Sequence, residues 1–316
     1  MKTNMGLFKN LCKMSQKTLK KHLAKKLRET YAEVKVEDGY VYAQGEFPVL
    51  LVAHMDTVHK DLPQFFLYDG EKQSLSSPQG IGGDDRCGIY MVLQCIQKYK
   101  CSVLFCEDEE IGAVGAGKFA EAEWINDLNF NYIIEFDRRG NNDAVFYDCD
   151  NEDFEKFITK EFYKTTWGSF SDISVIAPAL GCAAVNLSCG YYGAHTKDEY
   201  VVLPEMEAGI EAACKILERT TEEDKFEYIE AVHVYKYGSK YRYDYGYDWF
   251  DDGYYGSYGN IEEQYFIIEY MDKNGDVQWY DTEAFSKEEA VGRFCMRHPE
   301  TSFIDVIDIS SSETYK

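Results

Sequence analysis

The chain has 316 residues, of which 45% are apolar, and this is enough material for one large core or for a large core with a small one. Its formal net charge of −23 opposes broad binding to nucleic acids or anionic membranes, because most of the surface repels phosphate groups. A small molecule or a peptide is therefore the expected partner, with no nucleic acid and no membrane.

Neither a leader nor a disulfide framework is indicated. Residues 1–15 contain no apolar stretch followed by a small-residue cleavage site, and no apolar run approaches the roughly 18 residues of a membrane span. The ten cysteines are scattered along the chain, and no Cys-x-x-Cys pair suggests a zinc finger or a redox site. These features predict a cytoplasmic protein with free, buried thiols.

The first predicted elements are a helix and a hairpin. Between residues 17 and 28, leucines recur at positions 19, 23 and 27, and lysines and an arginine occupy most of the other positions. This pattern predicts an amphipathic surface helix with a solvated basic side. Alternation of apolar and polar residues around Asp38-Gly39 then predicts a β-hairpin from Glu33 to Tyr42.

Apolar runs and helical patterns alternate along the next part of the chain. Strands are predicted at 47–53, 101–106, 132–136 and 183–187, and helices at 88–99, 115–124, 154–163 and 204–219. This alternation predicts an α/β fold with a mostly parallel, mixed sheet sandwiched by helices. Functional residues gather at the carboxyl ends of the strands in such sheets, and there His54 and several acids lie.

The composition changes after about Glu223, and residues 235–258 are crowded with Tyr, Gly and Asp. We therefore predict a catalytic domain at 1–222, a Tyr-rich acidic linker or arm at 223–260, and a small α+β domain at 261–316. Strands at 264–270 and 277–280, a helix at 286–297 opened by a capping box, and a strand at 303–309 give this last domain a ββαβ order. It is a candidate site for a protein partner.

Two polar clusters follow the first strand and precede the second. His54 offers a zinc-binding ring nitrogen at a strand end, and Asp56 lies on the same side of the extended chain, where it can orient the ring. Asp84 and Asp85 stand between glycines, and one carboxylate there can bridge two metal ions. Taken alone, each of these two clusters favours a structural role, the second as a solvated turn that caps a helix.

Two further clusters complete a metal-binding pattern. Residues 107–110 are four consecutive acids, which repel one another unless a cation or water neutralises them. One of two adjacent glutamates can bind metal while the other accepts a proton from water, although a solvated acidic face is the alternative. Asp137 and His195 each follow an apolar strand or loop. The four clusters supply ligands in the order expected for two zinc ions that share an aspartate.

The clusters resemble the motifs of the co-catalytic di-zinc exopeptidases, a superfamily that includes bacterial leucyl aminopeptidases, tripeptidase T and TET-type aminopeptidases. The matching segments are HMDTV at 54–58, GDDRCG at 83–88, EDEEIG at 107–112 and AHTKDE at 194–199. The resemblance covers residues 30–220 and implies the phosphorylase/hydrolase-like fold of zinc peptidases. It also implies hydrolysis of the peptide bond in short peptides by a metallo-aminopeptidase.

The resemblance implies a metal-binding role for each of five residues. His54 and Asp137 hold one zinc ion, Glu110 and His195 hold the other, and Asp84 bridges the two. In relatives, the peptide bond between this aspartate and the residue after it, here Asp85, is cis. The implied cofactor is two Zn²⁺, with Co²⁺ or Mn²⁺ as substitutes.

The catalytic and substrate-binding groups follow from the same resemblance. Glu109 is the implied general base, and Asp56 is the partner of the His54 ring. Candidate substrate groups are Arg138 or Arg139 for a carboxylate, Asp172 in a Ser-Asp dipeptide, and Tyr192 or Tyr191 for the oxyanion. For the two arginines, a surface pair that balances nearby acids is the alternative.

The spacing departs from relatives that insert a dimerisation or lid domain. Asp84 follows His54 by 30 residues and His195 follows Asp137 by 58, so neither interval has room for such a domain and a single compact catalytic unit is expected. Three functions stay open: an exopeptidase for short peptides, an N-acyl amino acid deacylase or amidohydrolase with the same site, and an inactive binding protein that acts through its C-terminal domain. The intact set of ligands and Glu109 argue against the third.

Overall fold

The structure is a computed structural model that describes residues 2–231, 264–271, 277–284, 294 and 308–311. The chain divides into two compact units, residues 1–246 and residues 247–316. Within the described ranges, none of the helices is both long and apolar enough to cross a lipid bilayer. The nine cysteines described there are buried free thiols, as predicted.

An eight-stranded mixed sheet forms the centre of the first unit. Its strands, in spatial order, are β1 (Val34–Glu37), β2 (Tyr40–Ala43), β6 (Cys101–Cys106), β3 (Phe47–His54), β7 (Tyr132–Arg138), β10 (Ala184–Ser188), β8 (Asp143–Val145) and β9 (Lys164–Thr165). Strands β6, β3, β7 and β10 are parallel neighbours, whereas β1, β2 and β8 add antiparallel pairs. The predicted mixed α/β sheet is confirmed.

Helices cover both faces of this sheet. One face packs against α1 (Met5–Cys12), α2 (Gln16–Leu27), α3 (Gly83–Cys95), α5 (Glu152–Ile158) and α7 (Leu203–Arg219), and the other against α4 (Val114–Ala120), a 3-10 helix (Glu123–Asp127) and α6 (Asp172–Leu180). In β3, Val49 and Leu51 face the first layer, and Leu50 and Val52 face the second. Both faces are buried, which explains an apolar run without alternation.

A second, antiparallel sheet was not predicted. Its order is β11 (Tyr191–Tyr192), β12 (Tyr200–Val202), β5 (Ser74–Ser76) and β4 (Leu67–Asp69). It is built from the segment between β3 and α3 and from the segment that follows β10. These strands are two or three residues long, too short to leave a periodic pattern in the sequence.

Some element boundaries differ from the prediction. Helix α3 begins at Gly83 and ends at Cys95 instead of spanning 88–99, and Asp84 and Asp85 at its start have non-helical backbone angles. Helix α5 ends at Ile158 instead of continuing to residue 163. Helix α6 was missed because its interior proline, Pro178, and its almost wholly apolar sequence give no amphipathic pattern.

The chain after α7 packs against β7 and α5 of the first unit. The backbone N–H of Phe226 donates to Asn131, and the ring packs 5.2–6.2 Å from the rings of Tyr132, Phe154 and Phe157. Five residues later, the N–H of Ala231 donates to Asp148 at 2.8 Å. The first unit therefore extends past residue 222, where the sequence placed the end of the catalytic domain. The predicted arm lies outside the described residues from 232 onward.

The described part of the second unit is a three-stranded antiparallel sheet. Its order is β14 (Val277–Ala284), β13 (Gln264–Met271) and β15 (Asp308–Ser311), in agreement with the strands predicted at 264–270 and 277–280. Phe266 and Phe294 are buried, and the ring of Phe294 lies 5.4 Å from that of Tyr280. The helix predicted at 286–297 lies outside the described residues except for Phe294.

A chain that ends at Ala231 is expected to be more stable than one that ends at Thr221. The shorter chain loses the aromatic contacts of Phe226, which should lower its free energy of unfolding by about 2 kcal/mol or more. Urea unfolding followed by circular dichroism measures both values. Equal stability of the two truncated chains would show that the returning segment does not belong to the first unit.

Candidate metal centre

Polar residues meet at the carboxyl edge of the parallel strands. His54 ends β3, the acids 107–110 follow β6, and Asp137 lies near the end of β7. The chain that leaves β10 reaches His195 after seven residues. Because parallel strands end at the same edge of the sheet, residues remote in sequence become neighbours here.

Asp84 lies between two histidines. Its Oδ1 is 2.9 Å from Nε2 of His54, and its Oδ2 is 3.4 Å from Nε2 of His195. The same nitrogen of His54 is 3.4 Å from Oδ1 of Asp137, and that of His195 is 3.0 Å from Oε2 of Glu110. The five residues proposed as ligands from the sequence thus come together as two groups that share one carboxylate.

The donor atoms of this cluster fit a divalent cation. Ligand atoms of His54, Asp84 and Glu110 lie within 4.8 Å of one another, and Oε1 of Glu110 is buried with no hydrogen-bond partner among the described residues. Imidazole nitrogens and carboxylate oxygens are ligands that zinc prefers. A cation would also neutralise the mutual repulsion of the carboxylates.

Asp85 contributes to the backbone of the site. It forms a second group of possible ligand atoms with His54 and Asp137. However, its Oδ2 accepts the backbone N–H of His54 at 3.2 Å, and its Oδ1 accepts that of Gly88 at 2.8 Å. Asp85 is fully buried and joined to Asp84 by a cis peptide bond, as the resemblance implied. Both of its oxygens are therefore already occupied by main-chain donors.

The acids and the histidines shift each other's pKa values. Burial raises the pKa of Glu110 and of Asp137 above their ordinary values. Hydrogen bonds to Asp84 and Glu110 raise the pKa of His195 to about 11. Burial opposes protonation of His54, but Asp137 and its other acidic neighbours outweigh it and raise the pKa of the ring. Without metal, the two imidazolium ions thus supply the positive charge, and metal binding would displace these protons.

Asp56 contacts both His54 and the acidic segment at residues 107–110, which we call the glutamate loop. Its Oδ1 is 3.1 Å from Nδ1 of His54, which fixes the orientation of the ring, as the sequence predicted. Its two oxygens also accept the backbone N–H groups of Glu109 and Glu110, at 3.0 and 3.1 Å. This second role was not predicted, and it sets the distance between Glu109 and the histidine.

The first turn of α2 also positions the glutamate loop. Nε2 of Gln16 donates to Oδ1 of Asp108 at 2.8 Å, and the N–H of Asp108 donates back to Oε1 of Gln16 at 3.2 Å. Nζ of Lys20 lies 2.5 Å from Oε2 of Glu107. The helix predicted as a solvated surface element therefore contacts the loop that carries Glu109. Local sequence patterns carry no signal for such pairing between distant residues.

Arg86 forms hydrogen bonds with both the N-terminal segment and the loop after β3. The side chain is 1% exposed, and its guanidinium donates only to backbone carbonyls, those of Leu11, Met14, Met55 and Asp56. Burial lowers the pKa of this guanidinium from its ordinary value. The four carbonyl acceptors satisfy the buried charge, and they hold the turn between α1 and α2 beside the site.

A polar network surrounds Asp137. Its N–H donates to Oδ1 of Asn186 at 2.9 Å. The hydroxyl of Ser171 lies 3.0 Å from Oδ2 of Asp137 and 2.6 Å from Oε2 of Glu135. In the part of the chain that the structure describes, the other oxygen of Glu135 is buried without a hydrogen-bond partner. Neither Ser171 nor Asn186 was predicted to belong to the site. Glu135 stands two residues before Asp137 on β7, and this spacing is a signal of a shared face.

Asp172 lies under the site and not at its surface. Its side chain is 0% exposed and contacts the Cys106 thiol, and no N–H or hydroxyl donor of the described residues reaches its carboxylate. Burial raises the pKa of this carboxyl to about 7. A substrate cannot reach a fully buried group, so direct substrate contact, as the resemblance suggested for Asp172, is not compatible with this conformation.

The side chains of three other substrate candidates, Tyr191, Tyr192 and Arg138, already have protein partners. The hydroxyl of Tyr192 donates to Oε2 of Glu205 at 2.5 Å, whereas the hydroxyl of Tyr191 lies 3.2 Å from the carbonyl oxygen of Asp137. Tyr191 is thus the tyrosine that contacts a proposed ligand. Nε of Arg138 donates to Asp143 at 3.4 Å, and the backbone carbonyl of the adjacent Arg139 accepts the Ser188 hydroxyl.

Comparison with known proteins shows a likeness of fold. The sequence matches no protein-family model, and a comparison with curated proteins finds no relative. Solved structures similar to this fold include an aminopeptidase PepT from Bacillus cereus (15% identity, TM-score 0.53) and a tripeptidase from Staphylococcus aureus (13%, 0.54). An aminopeptidase from the archaeon Desulfurococcus kamchatkensis is also similar (15%, 0.55).

These alignments cover 67–70% of this chain and 96% of each of the other chains. At such identities the likeness is one of fold: the mixed, helix-covered sheet of this chain is the architecture of those aminopeptidases.

The metal-free protein is expected to lose stability as the pH rises, in part through Asp172. Its folded-state pKa of about 7 exceeds the ordinary value of 3.8, so the folded chain binds a proton that the unfolded chain releases in this range. As the pH rises between these two pKa values, the free energy of unfolding of Asp172→Asn should therefore increase relative to that of the parent, by up to about 1.4 kcal/mol per pH unit. Urea unfolding with a chelator at pH 5, 6, 7 and 8 measures the difference. The exposed control is Asp153→Asn. If the difference in free energy of unfolding between Asp172→Asn and the parent does not change with pH, and equals that of the control, the raised pKa of Asp172 is contradicted.

Proposed function

We propose that this protein is a zinc-dependent exopeptidase that hydrolyses the peptide bond of short peptides as an aminopeptidase. The observation that supports this most strongly is Asp84, whose two oxygens face different histidines. Each histidine has a second carboxylate beside it, Asp137 or Glu110. A shared carboxylate with separate ligands on either side is the arrangement expected for two metal ions. The similarity of fold to aminopeptidases supports the same proposal.

In this proposal His54 and Asp137 would hold one ion, Glu110 and His195 would hold the other, and Asp84 would be a ligand of both. Two Zn²⁺ ions, or Co²⁺ or Mn²⁺ in their place, would polarise a scissile carbonyl and lower the pKa of a water molecule. The tight packing of acids supports divalent cations over a single monovalent one, since more negative charge must be neutralised.

Glu109 is the proposed general base. Its carboxylate accepts a proton from water as the new C–O bond forms, and passes that proton to the amide nitrogen as the C–N bond breaks, which leaves a carboxylate and an amine. Burial raises the pKa of Glu109 above its ordinary value, which makes it a stronger base than an exposed glutamate. Asp56 keeps this loop in place through the backbone N–H of Glu109.

Deacylation of an N-acyl amino acid is the alternative reaction at the same site. The similarity of fold to aminopeptidases favours short peptides over N-acyl amino acids as substrates. A screen of aminoacyl and N-acyl chromogenic substrates with added Zn²⁺, Co²⁺ or Mn²⁺ separates the two reactions. A binding protein without activity, acting through its C-terminal unit, would hydrolyse neither class.

Asp84→Asn is expected to lose both metal ions, whereas Glu110→Gln should lose mainly one. The reason is that Asp84 would be a ligand of each ion and Glu110 of one only. Metal content after dialysis, measured by atomic emission, should fall from near two ions per chain in the parent to well below one in Asp84→Asn. Full occupancy in that variant would rule out the shared carboxylate.

Glu109→Gln is expected to keep its metal and its fold but to lose turnover by about a hundredfold or more, as removal of a general base does. The matched control is Glu152→Gln, an exposed glutamate of α5 whose side chain contacts Lys156 away from the proposed ligands. The control should keep most of its activity. Near-parental kcat in Glu109→Gln on the best substrate of the screen would assign the base elsewhere.

A further inference from the structure

Glu199 is a buried carboxylate that connects three loops of the site. Its side chain is 0% exposed, and both of its oxygens are engaged. Oε1 accepts the backbone N–H of Asp84 at 2.9 Å, and Oε2 accepts that of Gly82 at 2.8 Å. Nε2 of His59 lies 2.8 Å from the same Oε2. No function discussed so far uses either Glu199 or His59.

Each of the three loops also carries a proposed ligand. His59 follows His54 by five residues, Glu199 follows His195 by four, and the two accepted N–H groups belong to the loop of Asp84. The carboxylate of Glu199 thus joins the loop of each histidine to the backbone of the residue that lies between them. A displacement of this carboxylate would move Asp84 relative to both histidines.

The glycines before Asp84 provide the space that this arrangement needs. A Cβ atom on Gly80, whose φ is +88°, would lie 2.2 Å from the ring of His59. A Cβ atom on Gly83 would lie 3.2 Å from Oε1 of Glu199 and 2.9 Å from Val201. Any larger residue would push His59 or Glu199 away from the loop. The glycine-rich sequence at 80–83 is therefore matched to the buried Glu199 and His59 pair.

We propose that Glu199 is a positioning residue, which fixes the backbone of Asp84 so that its two oxygens face His54 and His195. This inference rests on the proposed function, since it assigns Asp84 as the shared ligand. A carboxylate suits the role because it only accepts hydrogen bonds, and here all of its partners are N–H donors. A glutamine of the same shape would turn an NH₂ group toward one of these donors.

The test is Co²⁺ binding by the full-length chain, with Glu199→Gln compared with the parent. The metal-free proteins are titrated with Co²⁺ against a competing chelator, and the visible absorption of the bound ion reports its coordination. We expect the affinity of Glu199→Gln for at least one of the two Co²⁺ ions to fall by about 10- to 100-fold, which is the usual effect of losing a residue that orients ligands. The absorption spectrum should change as well, and on peptides kcat should fall more than KM rises.

The matched control is Tyr31→Phe, which removes another buried hydrogen bond, 2.7 Å from the Tyr31 hydroxyl to the carbonyl of Cys101, away from the proposed ligands. It should lower the thermal stability but leave Co²⁺ affinity within twofold of the parent. His59→Gln is the second variant if Glu199→Gln does not fold, and a smaller loss of affinity in the same direction is expected there, since one donor to Glu199 is weakened.

The outcomes separate this proposal from the proposed function. Parental Co²⁺ affinity and spectrum in Glu199→Gln, or in His59→Gln where the former is unfolded, would overturn the role of Glu199 while leaving peptide hydrolysis intact. A loss of Co²⁺ affinity in Glu199→Gln no greater than that in Tyr31→Phe would also overturn the role of Glu199. A parent that binds two Co²⁺ ions but cleaves no peptide, with weakened binding in Glu199→Gln, would support the positioning role and reject the peptidase.

Discussion

Repulsion between carboxylates at one edge of the sheet is the constraint on which the rest of the site depends. Asp84, Glu109, Glu110 and Asp137 approach one another where four parallel strands end, and burial raises the pKa of the last three. Two histidines supply the only compensating side-chain charges whose contacts with these ligands are described. Such a cluster is unfavourable as an isolated structural feature, and it becomes favourable when divalent cations bind.

The acids of the site divide into two groups with different tasks. Asp84, Glu110 and Asp137 face the histidines. Asp56 and Glu199 each accept two backbone N–H groups from a loop that carries a proposed ligand, and Asp85 accepts those of His54 and Gly88. A buried carboxylate that accepts main-chain donors holds the backbone that carries those donors in one conformation. The loops are thereby fixed by the protein before any metal binds, and this preorganisation favours tight binding.

The convergence of the proposed ligands was predictable because each follows an apolar strand or lies between glycines, and sheet geometry then brings them to one edge. The contacts that hold them were not. Gln16 meets Asp108 and Glu199 meets Asp84 across long stretches of sequence, and no local period or spacing marks such pairs. Phe226 was assigned to a linker by composition, yet its ring packs against α5. The resemblance also did not indicate which tyrosine lies near Asp137, since that depends on the pairing of β11 with β12.

Sharing of Asp84 between two metal ions is tested most directly by anomalous X-ray diffraction from crystals grown with zinc. Data collected on either side of the zinc absorption edge locate each ion independently of any ligand assignment. Two peaks are predicted, one between Asp84, His54 and Asp137 and the other between Asp84, His195 and Glu110. A single peak that Asp84 contacts through one oxygen, or zinc bound only away from Asp84, would contradict the shared site.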